Sequence, residues 1–245
     1  MNKILFYLAF TLIFGYKGNS QTSINLEAID TNFSPSNFVA PFKEHSKNLN
    51  NELDVLSQKI FDQKNATKQD TLTYKKINLE LSEINIFKTD TLFHLIDKEK
   101  MWSDENIKKW AISYDMMSYS SLDSTAHFRH IYFPKVSFVE NLEGQLVVLS
   151  ATTSYQKPNP KEFEEFYKLL SKKFGEPQKR KIRSLGKDKY TFEWIGDKFV
   201  YQMVSHTNEA SFKENKHNLR FYVVHKEYND FVKGKISSGD WIDLK

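Results

Sequence analysis

Two clusters of side chains have the residue types that metal binding or nucleophilic catalysis requires. His127 and His130 form a His-x-x-His pair, and serines at 118, 120, 121 and 124 precede it. Residues 126–133 have the composition of a β-strand, in which positions three apart point to opposite faces, so without a bulge the imidazoles cannot share a metal. A serine nucleophile needs a base within reach and a sharp, fixed turn to hold it, and the serine-rich segment contains no glycine. We therefore assign neither activity to these clusters.

Cofactor chemistry has no recognisable motif in this chain. The 8 glycines form no phosphate-binding or dinucleotide-binding loop. The chain contains no cysteine, which excludes disulfides, thiolate metal ligands and cysteine nucleophiles. Glu162, Glu164 and Glu165 stand at the start of a predicted helix, where capping and the helix dipole explain them. We expect no cofactor and no metal, and we name no catalytic residue.

The most distinctive local pattern is a basic cluster formed by Lys179, Arg180, Lys181 and Arg183. It lies within residues 157–189, which carry 11 basic and 5 acidic side chains. Such a cluster suits an anionic surface, for example phospholipid, lipopolysaccharide, an acidic glycan or a partner protein. A structural interpretation competes with this one, because lysines on an edge strand prevent two sheets from pairing.

The overall charge narrows the choice of partner. The whole chain has a formal net charge of +4, which is mild for its 245 residues and argues against a dedicated nucleic-acid binder. We therefore expect the basic cluster to meet an anionic envelope component or another envelope protein, and we expect no nucleic acid.

The first 20 residues have the pattern of a cleavable secretory signal. Lys3 supplies a positive start, Ile4 to Phe14 form an apolar run, and Gly18 and Ser20 place small residues before a cut at Gln21. The run has 11 residues, whereas a bilayer span takes about 20, and no later stretch approaches that length. We expect no transmembrane segment after cleavage. Lysine outnumbers arginine 31 to 4, as A/T-rich coding favours, which indicates a bacterial source. Together with the signal, this leads us to expect a periplasmic or secreted protein.

The remaining chain reads as an α+β domain. We expect residues 21–40 to be a poorly ordered N-terminal segment and residues 41–245 to form a single domain, with two halves, 41–134 and 135–245, as the alternative. Apolar spacing predicts helices over 41–60, 103–114 and 160–174, and a short helix after 226. It predicts strands over 77–86, 92–96, 126–133, 136–140, 145–153, 190–194, 199–203 and 219–223.

Short turns between successive strands favour antiparallel pairing. Asn141 to Gly144 is the clearest hairpin, because Gly144 tolerates the positive φ that such a turn requires. The fold class that follows is α+β, with antiparallel sheet, about three helices packed on one face, and a helix followed by a β-meander towards the end.

These patterns lead to one functional expectation and one alternative. We expect an exported, soluble, non-enzymatic binding or envelope-associated protein with a basic surface region at Lys179, Arg180, Lys181 and Arg183. The alternative is a secreted hydrolase whose catalytic groups meet only in the folded chain.

Overall fold

A computed structural model describes residues 23–62, 66–83, 86–95, 103, 105–117, 125–153, 160–184, 187–205, 219–236, 241, 243 and 244. The predicted signal segment and the serine-rich segment 118–124 lie outside these residues. Within them, no helix combines the length and the apolar character that crossing a bilayer requires.

The described residues form four α-helices and eleven β-strands. The helices are α1 (Pro35–Phe61), α2 (Lys68–Glu83), α3 (Pro160–Phe174) and α4 (Asn229–Lys235), with 3-10 turns at Leu26–Ala28 and Lys226–Tyr228. The strands are β1 (Ile24–Asn25), β2 (Ile86–Leu95), β3 (Ile107–Met117), β4 (Ala126–Phe128), β5 (Ile131–Phe133), β6 (Lys135–Asn141), β7 (Leu146–Thr152), β8 (Gln178–Ser184), β9 (Lys187–Ile195), β10 (Phe199–Ser205) and β11 (Arg220–His225).

Eight of these strands form one large antiparallel sheet in the order β2-β3-β6-β7-β11-β10-β9-β8. A small sheet contains β1, β4 and β5, and in it β1 runs parallel to β4. The predicted α+β class is confirmed, including the late helix that leads into a meander of strands. The described chain has four α-helices where we expected about three.

The first face of the large sheet is apolar, and α1, α3 and the small sheet cover it. The helix α3 inserts Phe166, which is fully buried, between the two sheets. Its ring lies 4.8 Å from that of Phe221 on β11 and 5.7 Å from that of Phe133 on β5. Apolar burial of this kind is the main favourable term in folding, so this face is the principal core.

The second face is divided between an apolar half and a polar half. Val139, Val148, Val200 and Val224 form the apolar half, which α4 covers with Val232. The C-terminal residues Ile236, Trp241 and Leu244 are also buried on this face. The polar half contributes to the candidate site and is described below.

The start of α1 differs from the sequence prediction. The helix begins at Pro35, six residues before the predicted start, because Ser34 caps it and a carboxylate of β6 receives its first turn. Glu140 accepts hydrogen bonds from the Ser36 backbone N–H at 3.1 Å and from the Ser36 hydroxyl at 2.7 Å. Within the predicted N-terminal segment 21–40, the described residues Ile24, Leu26 and Val39 are buried in the main core.

The predicted strand over 77–86 is wrong, because residues 68–83 form α2. Thr67 and Asp70 begin this helix as a capping pair, each side chain accepting the other's backbone N–H, at 2.7 and 3.1 Å. Lys59 of α1 also donates to Asp70 at 2.8 Å, and this hydrogen bond, together with those from the Thr67 hydroxyl and N–H, lowers the pKa of Asp70 to about 2. Ile77 is buried whereas Leu79 is exposed, so the alternating apolar residues 77, 79 and 81 do not share one buried face as they would in a strand.

The predicted helix over 103–114 is also wrong, because residues 107–117 form β3. This strand pairs with β2 on one side and β6 on the other. Ala111 and Tyr114 fit a helical stripe, but they also suit opposite faces of a strand, and both are buried there. Pairing on both sides decided between the two patterns.

The predicted hairpin at Asn141 to Gly144 lies between β6 and β7, as expected. Gly144 has a φ of +83°, and its N–H donates to the Asn141 carbonyl at 3.2 Å. The Asn141 side-chain oxygen accepts the N–H groups of Glu143 and Gln145, which completes the turn.

Candidate functional site

The basic cluster lies on β8, the outermost strand of the large sheet. Every residue of β8 pairs with a residue of β9, and within the described chain no strand pairs with its other side. Lys179, Arg180 and Lys181 are exposed. Arg183 occupies β8 opposite Asp188, and its side chain lies outside the described structure. The structure thus gathers the predicted residues on one sheet edge.

Lys179 and Lys181 project from the first face of the sheet, because alternate residues of a strand share a face. The Lys179 ammonium lies 4.3 Å from the centre of the Tyr190 ring and 5.8 Å from that of Phe192. Both distances suit cation–π attraction, which holds the ammonium over the rings while leaving it accessible to a ligand. Phe192 packs against Tyr167 of α3, which fixes the aromatic support.

Arg180 projects from the opposite face and is held by a buried carboxylate. Its guanidinium donates to Glu193 of β9 at 3.1 Å, and Lys233 of α4 donates to the other oxygen of Glu193 at 3.0 Å. The Glu193 side chain is 6% exposed, whereas the Arg180 side chain is 51% exposed. Glu193 therefore joins the edge strand to the C-terminal helix, and it neutralises part of the positive charge of the cluster.

Glu193 belongs to a row of polar residues that crosses the second face of the sheet. In antiparallel pairing, directly opposite residues point to the same face, so consecutive register partners form a continuous row. The row passes through five adjacent strands, and all five members are buried: Ser137, Ser150, Tyr222, Gln202 and Glu193. It ends at Gln178 of β8. The candidate site at the edge is therefore continuous with a buried polar layer.

A buried ion pair lies next to this row and anchors the C-terminal residues. Arg220 of β11 donates to Asp243 at 3.1 Å, and their side chains are 6% and 0% exposed. Burial raises the pKa of the neighbouring Tyr222 hydroxyl well above its usual range. The Trp241 ring lies 6.4 Å from that of Tyr222, so the C-terminal residues cover the polar half of the second face.

The two histidines of the His-x-x-His pair are not brought together. His127 lies on β4, where its Nδ1 is 3.0 Å from the Ser23 hydroxyl. His130 lies in the turn between β4 and β5, next to Arg129, whose φ is 54°. The Nε2 atom of His130 is 3.3 Å from a carboxylate oxygen of Glu165. Among the described residues, no three acidic or histidine side chains converge on a point where a metal ion would be held.

Sequence reasoning located the basic cluster but missed the groups that support it. The sequence predicts a strand over 190–194 but assigns no role to Glu193, Lys233 or Asp243. Each of these residues bonds to a partner that is distant in sequence. Glu193 lies 13 positions from Arg180, Lys233 lies 40 positions from Glu193, and Asp243 lies 23 positions from Arg220. The signal that could have identified Glu193 is an acidic side chain within the mainly apolar stretch 190–195.

Comparison of the chain with protein-family models, with curated proteins and with solved structures found no match. The geometry of the chain's own residues is therefore the basis for any functional proposal.

We predict that Glu193→Ala lowers the free energy of unfolding by about 1 to 3 kcal/mol, because it leaves the partly buried Lys233 ammonium without its carboxylate. Urea titration of the purified protein measures this change. The matched control is Glu165→Ala, which removes an exposed carboxylate from His130 and should change stability by less than about 0.5 kcal/mol. Equal effects of the two substitutions would show that the link between β8 and α4 through Glu193 does not stabilise the fold.

Proposed function

We propose that this protein is exported and acts as a non-enzymatic binding protein, with strand β8 contacting an anionic partner in the bacterial envelope. The observation that carries the proposal is the placement of Lys179, Arg180 and Lys181 on the outermost strand, where all three are exposed, Lys179 lies over the Tyr190 ring and Arg180 bonds to Glu193. Residues 178–184 contain no acidic side chain, so β8 itself contributes only positive charge to this edge.

The positions of the cations, and not only their charge, support a binding role for the cluster. Tyr190 and Phe192 fix the Lys179 ammonium, and Glu193 fixes the Arg180 guanidinium. Positioned cations lose less conformational entropy on binding than mobile ones, so a prearranged pair favours recognition over loose attraction. A cluster that only prevented sheet pairing would require charge but no such support.

Hydrolysis is supported less well by the described residues. A hydroxyl–imidazole–carboxylate triad needs all three groups in one hydrogen-bonded chain. Ser23 meets His127, but within the described chain no carboxylate bonds to that imidazole. His130 meets the Glu165 carboxylate at a site where both side chains are more than half exposed. We therefore favour a binding role.

Export predicts a processed N-terminus. In protein recovered from the periplasm or the culture medium, we expect mass spectrometry to find a chain that begins at Gln21, because the apolar run before it has the length of a signal and not of an anchor. Accumulation of a chain that retains Met1 in the cytosol would contradict export.

Binding through β8 predicts that reversing its exposed charges removes the partner. We expect Lys179→Glu with Lys181→Glu to lose the partner that the wild-type protein captures from an envelope extract, because two attractive charges become repulsive. Arg180 is left unchanged, since its replacement would remove one of the two charge partners of Glu193. The control is Lys68→Glu with Lys75→Glu, which changes the net charge equally on exposed positions of α2. Loss of the partner by both pairs, or by neither, would contradict a site on β8.

A further inference from the structure

The outer edge of β8 is a row of backbone hydrogen-bonding groups as well as a row of charges. Half of the N–H and C=O groups of an edge strand point away from the sheet, and they accept a further strand unless something covers them. All seven residues of β8 are engaged with β9 on the inner side, and no described strand occupies the outer side. The edge therefore offers a template for strand addition.

The charges of β8 are distributed over both faces of the sheet. Lys179 lies over Tyr190 on the first face, whereas Arg180 bonds to Glu193 on the second. A flat lipid surface laid against one face would meet the cations of that face alone. An added strand lies in the plane of the sheet and also alternates its side chains between both faces, so it meets both sets.

The same charges identify the kind of strand that fits. A second copy of β8 would bring two rows of cations together, and directly opposite like charges destabilise a sheet. An acidic strand would instead place carboxylates near Lys179 and Lys181, with successive same-face charges about 6.8 Å apart on both strands. Charge thus disfavours self-pairing and favours an acidic partner.

The opposite edge of the large sheet shows that this pattern is particular to β8. Strand β2 forms that edge, and it carries Lys88 and Asp90, so its charges balance. An acidic strand gains no net attraction there.

We infer that β8 binds an extended acidic segment of a partner protein, which adds to the large sheet as a further strand. The inference rests on the proposed function and names the class of its partner. Backbone hydrogen bonds along the edge supply affinity, and carboxylates at alternate positions opposite Lys179 and Lys181 supply specificity.

The test compares three probes on the purified protein at low ionic strength. The first is a labelled eight-residue peptide with glutamate at alternate positions and threonine or valine between them. The second has the same sequence, but alternate backbone nitrogens are methylated, in the register that removes its donors to an adjacent strand. The third is a phosphatidylglycerol vesicle. Fluorescence anisotropy and co-sedimentation measure binding, and hydrogen exchange of residues 178–184 reports strand addition.

We expect the unmethylated peptide to bind, with slowed exchange of β8 amides. Methylation should weaken binding roughly tenfold or more, as should Lys179→Glu with Lys181→Glu, whereas Lys68→Glu with Lys75→Glu should leave it unchanged. Equal binding of both peptides, or unchanged amide exchange, would overturn strand pairing.

Two further outcomes separate this inference from the proposed function. Vesicle binding that depends on Lys179 and Lys181, without peptide binding, would overturn the acidic strand and identify a lipid partner. If neither peptide nor vesicle binds while the extract still yields a partner that depends on these lysines, strand pairing is wrong and the proposed function stands. If the extract yields none, both fail.

Discussion

A continuous layer of buried polar groups is the constraint on which the second face of the large sheet depends. Ser137, Ser150, Tyr222, Gln202 and Glu193 lie side by side on five adjacent strands, shielded from water. Buried polar groups cost free energy unless other polar groups satisfy them. Even here one atom stands out, because the Gln202 side-chain oxygen accepts no hydrogen bond from the described residues. The chain must therefore bring polar groups to this face from elsewhere.

The C-terminal part of the chain supplies polar partners at one end of this layer and beside its centre. Lys233 of α4 reaches Glu193 near the edge, and Asp243 reaches Arg220 beside the centre. The same segment buries Val232 and Trp241 on the apolar and polar halves of the face. Electrostatic and apolar contacts thus hold the C-terminal part of the chain against the second face. Lys233 of this part in turn fixes the Glu193 carboxylate, which positions Arg180 on β8. The position of Arg180 on the basic edge therefore depends on how the second face is completed.

The sequence predicted those elements in which several local signals agree. Helix α3 has a proline at its first position, a glycine after its last turn and an apolar stripe, and it occupies the predicted residues. Helix α2 and strand β3 were misassigned because their apolar spacing fits both a helix and a strand. Tertiary partners settled both cases: α1 packs along α2, and β2 and β6 flank β3.

The candidate site was predicted in part for a related reason. Lys179, Arg180, Lys181 and Arg183 are adjacent in sequence, so their charge is visible without a structure. The polar row is not visible, because its members are set by cross-strand register and span residues 137 to 222. Register depends on turns and on the burial of whole faces, which no single segment encodes.

The free energy of unfolding of Asp243→Ala, measured by urea titration, tests the claim that polar pairing holds the second face together. We predict a loss of about 3 to 5 kcal/mol, because the substitution leaves the Arg220 guanidinium buried without its carboxylate. Asp230→Ala, an exposed change on α4, should cost less than about 0.5 kcal/mol. A loss for Asp243→Ala as small as that of the control would show that polar pairing does not hold the second face together.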